Sequence, residues 1–355
     1  MGINCSNCMN NKIPLNKDIR IDIDSPIILN SIIKIQSIFR SYIFRKKNNL
    51  LNYDSYNLYN QFSNNKNNLN GSNYPYKILQ KSNITKEQIN NLNKLFPPLT
   101  DNIKLTFIKL LYPNNSEYSG EFNPILKERH GRGIQLWTDN TIYSGYWKND
   151  KISGRGKLIH PSGDYYEGEF LDDCVNGFGT YISKKGGQYV GMWKNNLQDG
   201  KGKLTWGDKT EYNGEWKKGK KWGKGKFILS DGSYFEGDFY QNCMHGKGKF
   251  KWNDNKIYIG EWKNNKMDGE GEFFWPDGKV YKGHYFQDEK NGFGELTFPN
   301  GRIYKGYWKN GLQHGEGEIY SPKEKKWKKG LWNEGKRVRW SVNEIDKNSE
   351  RKNVE

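Results

Sequence analysis

The chain has 355 residues, with 57 Lys and Arg against 40 Asp and Glu for a net charge of +17, and only 34% hydrophobic residues although it carries 13 Trp, 23 Tyr and 40 Gly. No apolar run reaches the roughly 18 residues that a membrane-crossing helix needs, and the amino terminus lacks the apolar core of a secretory leader. Such basicity admits nucleic-acid binding, but no groove-reading or base-stacking motif accompanies it, so no nucleic-acid partner is expected.

Residues 1–26 are expected to be an acylated anchor. Met1-Gly2-Ile3-Asn4-Cys5-Ser6 fits the N-myristoylation pattern, and Cys5 and Cys8 lie within reach for palmitoylation. One myristoyl chain binds a bilayer only marginally, so stable anchoring takes a second acyl chain or a basic patch, and this sequence offers both. A CxxC pair can also mark a metal or redox site, but zinc takes four ligands and no second CxxC or nearby His is present. No metal and no cofactor are expected.

Over residues 27–47, apolar Ile28, Ile32, Ile35, Phe39 and Ile43 recur at helical spacing among basic Lys34, Arg40, Arg45, Lys46 and Lys47. A basic amphipathic helix is a ligand for calmodulin-type proteins or for a membrane surface. The stretch from Ile35 through Gln36 and Arg40 to Arg45 resembles the IQ motif, with Ser41 where Gly is common. The resemblance implies that Gln36 and Arg40 engage a calmodulin- or centrin-like protein; the alternative is an amphipathic helix packed on the sheet formed by the later residues or on a bilayer. Residues 48–83, rich in Asn, Ser and Tyr, read as a linker. Within 84–117, Thr85 and Gln88 form a capping box ahead of a short helix that ends at Pro97-Pro98, with Ile89, Leu92, Leu95 and Phe96 on one face. This helix and a strand ending near Leu111 are expected to cap the first edge of a sheet built from residues 118–335.

From 118 to 335 the chain repeats itself every 23 residues. The glycines of successive YxGx(W/F) blocks, such as Gly145, Gly168, Gly191, Gly214, Gly237, Gly260, Gly283 and Gly306, keep that spacing, and a GxG pair follows in nine blocks. Repeats that cannot bury a core alone gain stability by stacking on neighbours. On a strand, Tyr143, Gly145 and Trp147 point to one face, as do Gly154, Gly156 and Leu158 on the next. The polar segment between them suits a hairpin tip, and Gly207-Asp208, Asp231-Gly232, Asp277-Gly278 and Asn300-Gly301 suit turns between repeats. The pattern predicts an antiparallel meander. Strand glycines cost stability, so each is expected to make a slot that a Tyr or Trp ring fills, two aromatics per repeat replacing a thick core.

The segments YEGEF (166–170), YNGEW (212–216) and YIGEW (258–262), each followed by GxG, resemble MORN repeats, nine to ten of them. The resemblance implies an all-β, elongated, twisted single-layer antiparallel sheet, working as a scaffold in cytoskeletal, ciliary or membrane-associated assemblies.

A constant period puts all hairpin tips on one edge. Tips that follow Trp are basic, through Lys148, Lys194, Lys217, Lys218, Lys220, Lys221, Lys263, Lys266 and Lys309, whereas those following Phe or Tyr carry Asp172 and Asp173, Asp288 and Glu289, or no charge. A basic ridge suits an anionic membrane surface or acidic proteins; its alternative role is to keep the edge from pairing with itself. Cys174 and Cys243, three periods apart, are out of disulfide reach and are expected to be free thiols. Residues 336–355 form a charged tail, and the last strand before it leaves an edge where a second copy can pair end to end. The five His occupy repeat positions and no nucleophile elbow or P-loop occurs, so no enzyme is expected. These readings converge on a scaffold at the cytosolic face of a membrane, recruiting a calmodulin-like protein and cytoskeletal or signalling partners. A structural part of a cilium or cortical cytoskeleton, and a phosphoinositide-binding module, are the alternatives.

Overall fold

The computed structural model describes residues 77–78, 83–99 and 103–341. The anchor, the IQ-like segment, nearly all of the linker and most of the tail lie outside the described residues. Within them, 22 strands form one open, twisted sheet in which each strand pairs antiparallel with the next in sequence. A repeat is a hairpin: a seven-residue strand such as Ile142–Lys148 and a nine-residue strand such as Lys151–Ile159, joined by two residues. In both Asn149-Asp150 and Asn264-Asn265 the two linking residues have positive φ, the turn whose twist matches a right-handed ribbon. The loops between repeats are longer. Lys209 is left-handed at φ +70, its amide bonds back to the Trp206 carbonyl, and the Trp206 amide bonds to the Thr210 carbonyl.

The two glycines of GxG have different jobs. A Cβ on Gly156 would meet the Tyr143 ring at 2.5 Å, and one on Gly225 the Tyr212 ring at 2.6 Å, so the second glycine makes the slot. The first is not simply a face-mate of the second. Gly154 has φ +99, and the pairing register shifts between Gly145 and Trp147 opposite it, a bulge that bends the strand.

The aromatic face is a continuous stack. Rings alternate edge to face from Tyr118 through Trp147, Tyr143, Phe170 and Tyr166 onward to Tyr304 and Trp332, with centroids 4.9–5.5 Å apart. That is the favoured quadrupole geometry. Most polar ring atoms are satisfied locally, as where Tyr258 Oη donates to the Glu261 carbonyl at 3.0 Å and Trp216 Nε1 to the Gly202 carbonyl at 3.1 Å, whereas the buried Tyr285 hydroxyl has no partner. Burial pushes the hydroxyls of Tyr166, Tyr189, Tyr212 and Tyr258 well above their usual range, so they remain neutral donors.

The capping-box helix forms over Lys86–Leu95 as expected, with the Gln88 amide donating to Thr85 Oγ1 and the Thr85 amide to the Gln88 side chain. It does not cap the sheet edge. It lies on the face opposite the aromatic stack, where Ile84, Leu92 and Phe96 bury against Ile134, with Ile89, Leu136, Ile142 and Tyr146 around them. The edge is closed instead by a second strand: Thr106–Leu111 pairs with Glu117–Asn123 on one side and with Lys77–Ile78 on the other. A helix with one apolar stripe buries more by lying across an apolar face than by standing at a row of backbone groups, which a strand satisfies better.

Candidate binding surfaces

The first surface is the row of hairpin tips. Each tip is bonded to the one before it: the Asn265 amide donates to the Met244 carbonyl at 3.0 Å, while the Met244 amide donates to Asn265 Oδ1 at 2.7 Å. The same double bond ties Asp173 to Ile152, Asn196 to Val175, Asn242 to Lys221 and Asp288 to Met267. Asp173 and Asp288 are therefore clamps as well as charges. Asp173 is buried, and burial pushes the Asp288 carboxyl up despite the Met267 amide that favours its ionised form. The sequence signal for the clamp is Asn or Asp as the second tip residue, and it is lost where that residue is Gly219, Gly311 or Gly335.

Lys148, Lys194, Lys217, Lys220, Lys263 and Lys309 flank these tips and are exposed, as is the tip residue Lys218; Lys266 is half-buried. Lys221 departs from the expectation. It is 2% exposed and turned into the aromatic face, its ammonium 4.5 Å from the Phe227 ring centroid and 5.2 Å from that of Trp206. Positions 129, 221 and 290 are equivalent in the 23-residue period, and each puts a cation among rings. Arg129 lies 3.9 Å from Trp147, and Lys290 lies 5.1–5.4 Å from Trp308, Trp275 and Tyr281. Burial, with the charge of Lys279 behind it, lowers the Lys290 ammonium to about 8. A strand alternation that places the residue inward was the available signal.

The second surface, which the sequence reading did not single out, is the face opposite the rings. Here the residues between the glycines form cross-strand quartets. Arg155 and Lys157 face Glu169 and Glu167; Lys224 and Lys226 face Asp238 and Glu236; Glu270 and Glu272 face His284 and Lys282. Ion pairs close at 3.1 Å for Lys157–Glu167, 2.6 Å for Lys224–Asp238 and 3.2 Å for Lys282–Glu272. The glycine backbone makes the floor of an open groove of about 900 Å³ between Asn213 and Gly283. Two places break the charge pattern with exposed apolar pairs, Phe178 with Met192 and Phe293 with Tyr307. The sequence carried both as non-consensus residues, Phe178 and Phe293 between the glycines of GxG, Met192 and Tyr307 just after the glycine of YxGx(W/F). Their prominence emerges only when neighbouring strands are laid side by side.

Gly2, Cys5, Cys8, Ile35, Gln36, Arg40 and Arg45 lie outside the described residues. Cys174 and Cys243 are not joined in a disulfide, and among the described residues no group of three or more His, Cys, Asp or Glu is placed to hold a metal ion.

A stack of like hairpins with one face consumed by its own packing and the other turned outward is a repeat protein that offers surface. The profile of the MORN repeat matches nine segments, 127–142, 143–165, 166–188, 189–211, 212–234, 235–256, 258–280, 281–301 and 304–324, more than half of the chain, which belongs to the MORN-repeat family. Alsin of Rattus norvegicus is 29% identical over 117 residues, 25% of this chain and 7% of alsin. Phosphatidylinositol 4-phosphate 5-kinase 1 of Oryza sativa subsp. japonica is 39% identical over 46 residues, 13% of this chain and 6% of the kinase. The chain thus spans a small fraction of these relatives. Among solved structures, the CPAP G-box domain matches at 12% identity over 61% of this chain and 99% of that domain, with a TM-score of 0.29.

Proposed function

We propose that this chain is a non-enzymatic scaffold, held at the cytosolic face of a membrane by acylation of Gly2, Cys5 and Cys8, that recruits a calmodulin- or centrin-like protein through residues 27–47 and cytoskeletal or signalling proteins through its sheet. The observation that carries the scaffold reading is the outward face: a long ribbon of paired charges over an open groove, interrupted by a few apolar pairs, which suits recognition of extended partners rather than enclosure of a substrate. Exposed lysines beside the tips suit an anionic membrane surface and support the anchor electrostatically. Repeats of the same family in a phosphatidylinositol phosphate kinase favour phosphoinositide binding by that basic edge as a second reading. A structural place in an axonemal, basal-body or cortical cytoskeletal assembly is the third.

The test is fractionation of cells expressing the wild-type chain, Gly2→Ala and Cys5→Ser/Cys8→Ser, with intact mass to read the lipid state. Wild type in the detergent-soluble membrane fraction and both variants in the cytosol is the expected result. All three in a detergent-resistant pellet would sink the anchored reading in favour of the cytoskeletal one. Headgroup-selective liposome binding that survives in the unacylated variants and is lost on neutralising Lys217, Lys218 and Lys220 would favour the phosphoinositide reading.

A further inference from the structure

The face opposite the rings carries one quartet per repeat junction, and the first of them has an occupant. Arg132, Ile134, Ser144 and Tyr146 form the seat on which the chain's own Lys86–Leu95 helix ends. Arg132 Nη1 donates to the Phe96 carbonyl at 3.3 Å, Tyr146 Oη donates to the Pro97 carbonyl at 2.6 Å, and the Tyr146 and Phe96 rings meet edge to face. Two repeats on, at 46 residues, the equivalent positions are Phe178, Thr180, Val190 and Met192. This second quartet carries no charge, in contrast to the ionic quartets on either side, Arg155/Lys157/Glu169/Glu167 and Lys201/Lys203/Glu215/Asn213. Phe178 is 53% and Met192 40% exposed, although both are large apolar side chains in mid-strand. The Phe293 and Tyr307 pair is different, because its quartet is completed by Glu295 and Lys305.

We infer that the uncharged quartet Phe178, Thr180, Val190 and Met192 is a second helix seat, and that its occupant is residues 27–47 of the same chain. The inference rests on the reading of 27–47 as an amphipathic helix and adds a regulation to the proposed function: while seated, the helix withholds from a calmodulin-like protein the apolar stripe that protein would grip. Chain length favours this seat. Residues 48–76, which join the segment to the first strand, extend at most roughly 100 Å, but a flexible chain of that length spans only about 30 Å on average. The seat lies seven to eight strands from Lys77, about 36 Å at 4.8 Å per strand, whereas Phe293 lies about 82 Å away. Four strands, about 19 Å, separate the two seats, enough for two helices of about 10 Å diameter side by side. The stripe Ile28, Ile32, Ile35, Phe39 and Ile43 supplies the apolar side. Arg40, Arg45, Lys46 and Lys47 meet on one flank Glu167 and Glu169, whose charge they would share with Lys157 and Arg155, while Lys201 and Lys203 on the other set the orientation.

The test is amine-reactive crosslinking of the full chain followed by mass spectrometry, on wild type, Phe178→Asp/Met192→Asp and Phe293→Asp/Tyr307→Asp. Thr180→Lys/Val190→Lys is a second disruption in case the first perturbs the fold, and thermal melting checks each variant. Links from Lys34, Lys46 or Lys47 to Lys157, Lys201 or Lys203 are expected in wild type and in the Phe293 variant, and lost in both disruptions of the seat. Absent links, links unchanged by those disruptions, links to Lys282 or Lys305 instead, or links between isotopically light and heavy copies would each overturn intrachain seating, the last in favour of a second copy. Calcium-loaded and calcium-free calmodulin titrations separate this from the recruitment reading. A helix seated nine-tenths of the time binds about ten-fold more weakly, so a rise of that order in Phe178→Asp/Met192→Asp supports seating. No binding to any variant refutes recruitment alone, with the crosslinks still deciding the seat.

Discussion

The two faces of this sheet are built from the same strands and differ in almost everything else. On one, rings and glycines are interlocked so tightly that Tyr143, Tyr212 and Tyr281 have no exposed surface; on the other, charged side chains pair across strands in water. Alternate residues of each strand therefore carry the ring packing and the outward charges. A period of two along the strand and of 23 along the chain keeps them separate. The inner face tolerates little change because every repeat supports its neighbours. The outer face can vary residue by residue, and does so at Phe178 and Phe293.

The contrast is broken most severely by adding one methyl group on the inner face. Gly271 lies under the Tyr258 ring, and a Cβ there would overlap it, whereas a Cβ on Gly278, in a turn at φ +86, would meet nothing within 4 Å. Gly271→Ala should cost about 3 kcal/mol or more through overpacking. Gly278→Ala should cost about 1 kcal/mol from the left-handed backbone alone. Urea unfolding of both variants checks this, and equal losses would mean that the ring slot does not stabilise the repeat.

The tip clamps are next. Asn265→Gly keeps the turn conformation at φ +67 and removes only the acceptor of the Met244 amide, a loss of about 1 kcal/mol. Hydrogen exchange at Met244 should speed up in the variant. An unchanged rate would show that the tips stack without the side-chain bond.

A change of the opposite sign tests the cations among the rings. Lys290 occupies the position that Met244 and Met267 fill in other repeats, and its folded-state pKa is lowered by burial from 10.5 to about 8. Between those values the unfolded chain binds the extra proton, so stability rises with pH across about 8 to 10.5 and the deficit is fully present below pH 8. Contacts with three rings offset part of it, so Lys290→Met should stabilise by about 1 kcal/mol at pH 7 and remove that part of the pH slope. A Met variant less stable than wild type at pH 7 would mean the rings more than compensate for desolvation.

Much of this was legible in the sequence because a repeat multiplies its own signal. The period, the hairpins, the Tyr rings over strand glycines and the Thr85 capping box all follow from spacing, whereas the Trp rings expected to share those slots do so only at Gly330 among the described glycines. What was not legible required knowing which residue faces which across strands. Gly154 reads as a second slot and is a bulge; Lys221 reads as part of the basic edge and is buried; Asp173 reads as a surface charge and is a clamp. The helix reads as an edge cap because Ile134, Leu136, Ile142 and Tyr146 become one apolar patch only after two strands are paired. The outward apolar pairs were hidden for the same reason.

The smallest effect belongs to the outer face. The Lys224–Asp238 pair closes at 2.6 Å, but the lysine side chain is 71% exposed, and exposed pairs contribute about 0–1 kcal/mol. Lys224→Ala should therefore shift stability by less than about 0.5 kcal/mol, and that shift should shrink further in salt. The inner face, at about six times that sensitivity for a single methyl group, would then account for folding, leaving outer-face residues free to change with the partner. A loss above about 2 kcal/mol for Lys224→Ala, persisting in high salt, would break the division of labour, because it would mean that the charged quartets hold the sheet together and cannot be respecified one by one for recognition.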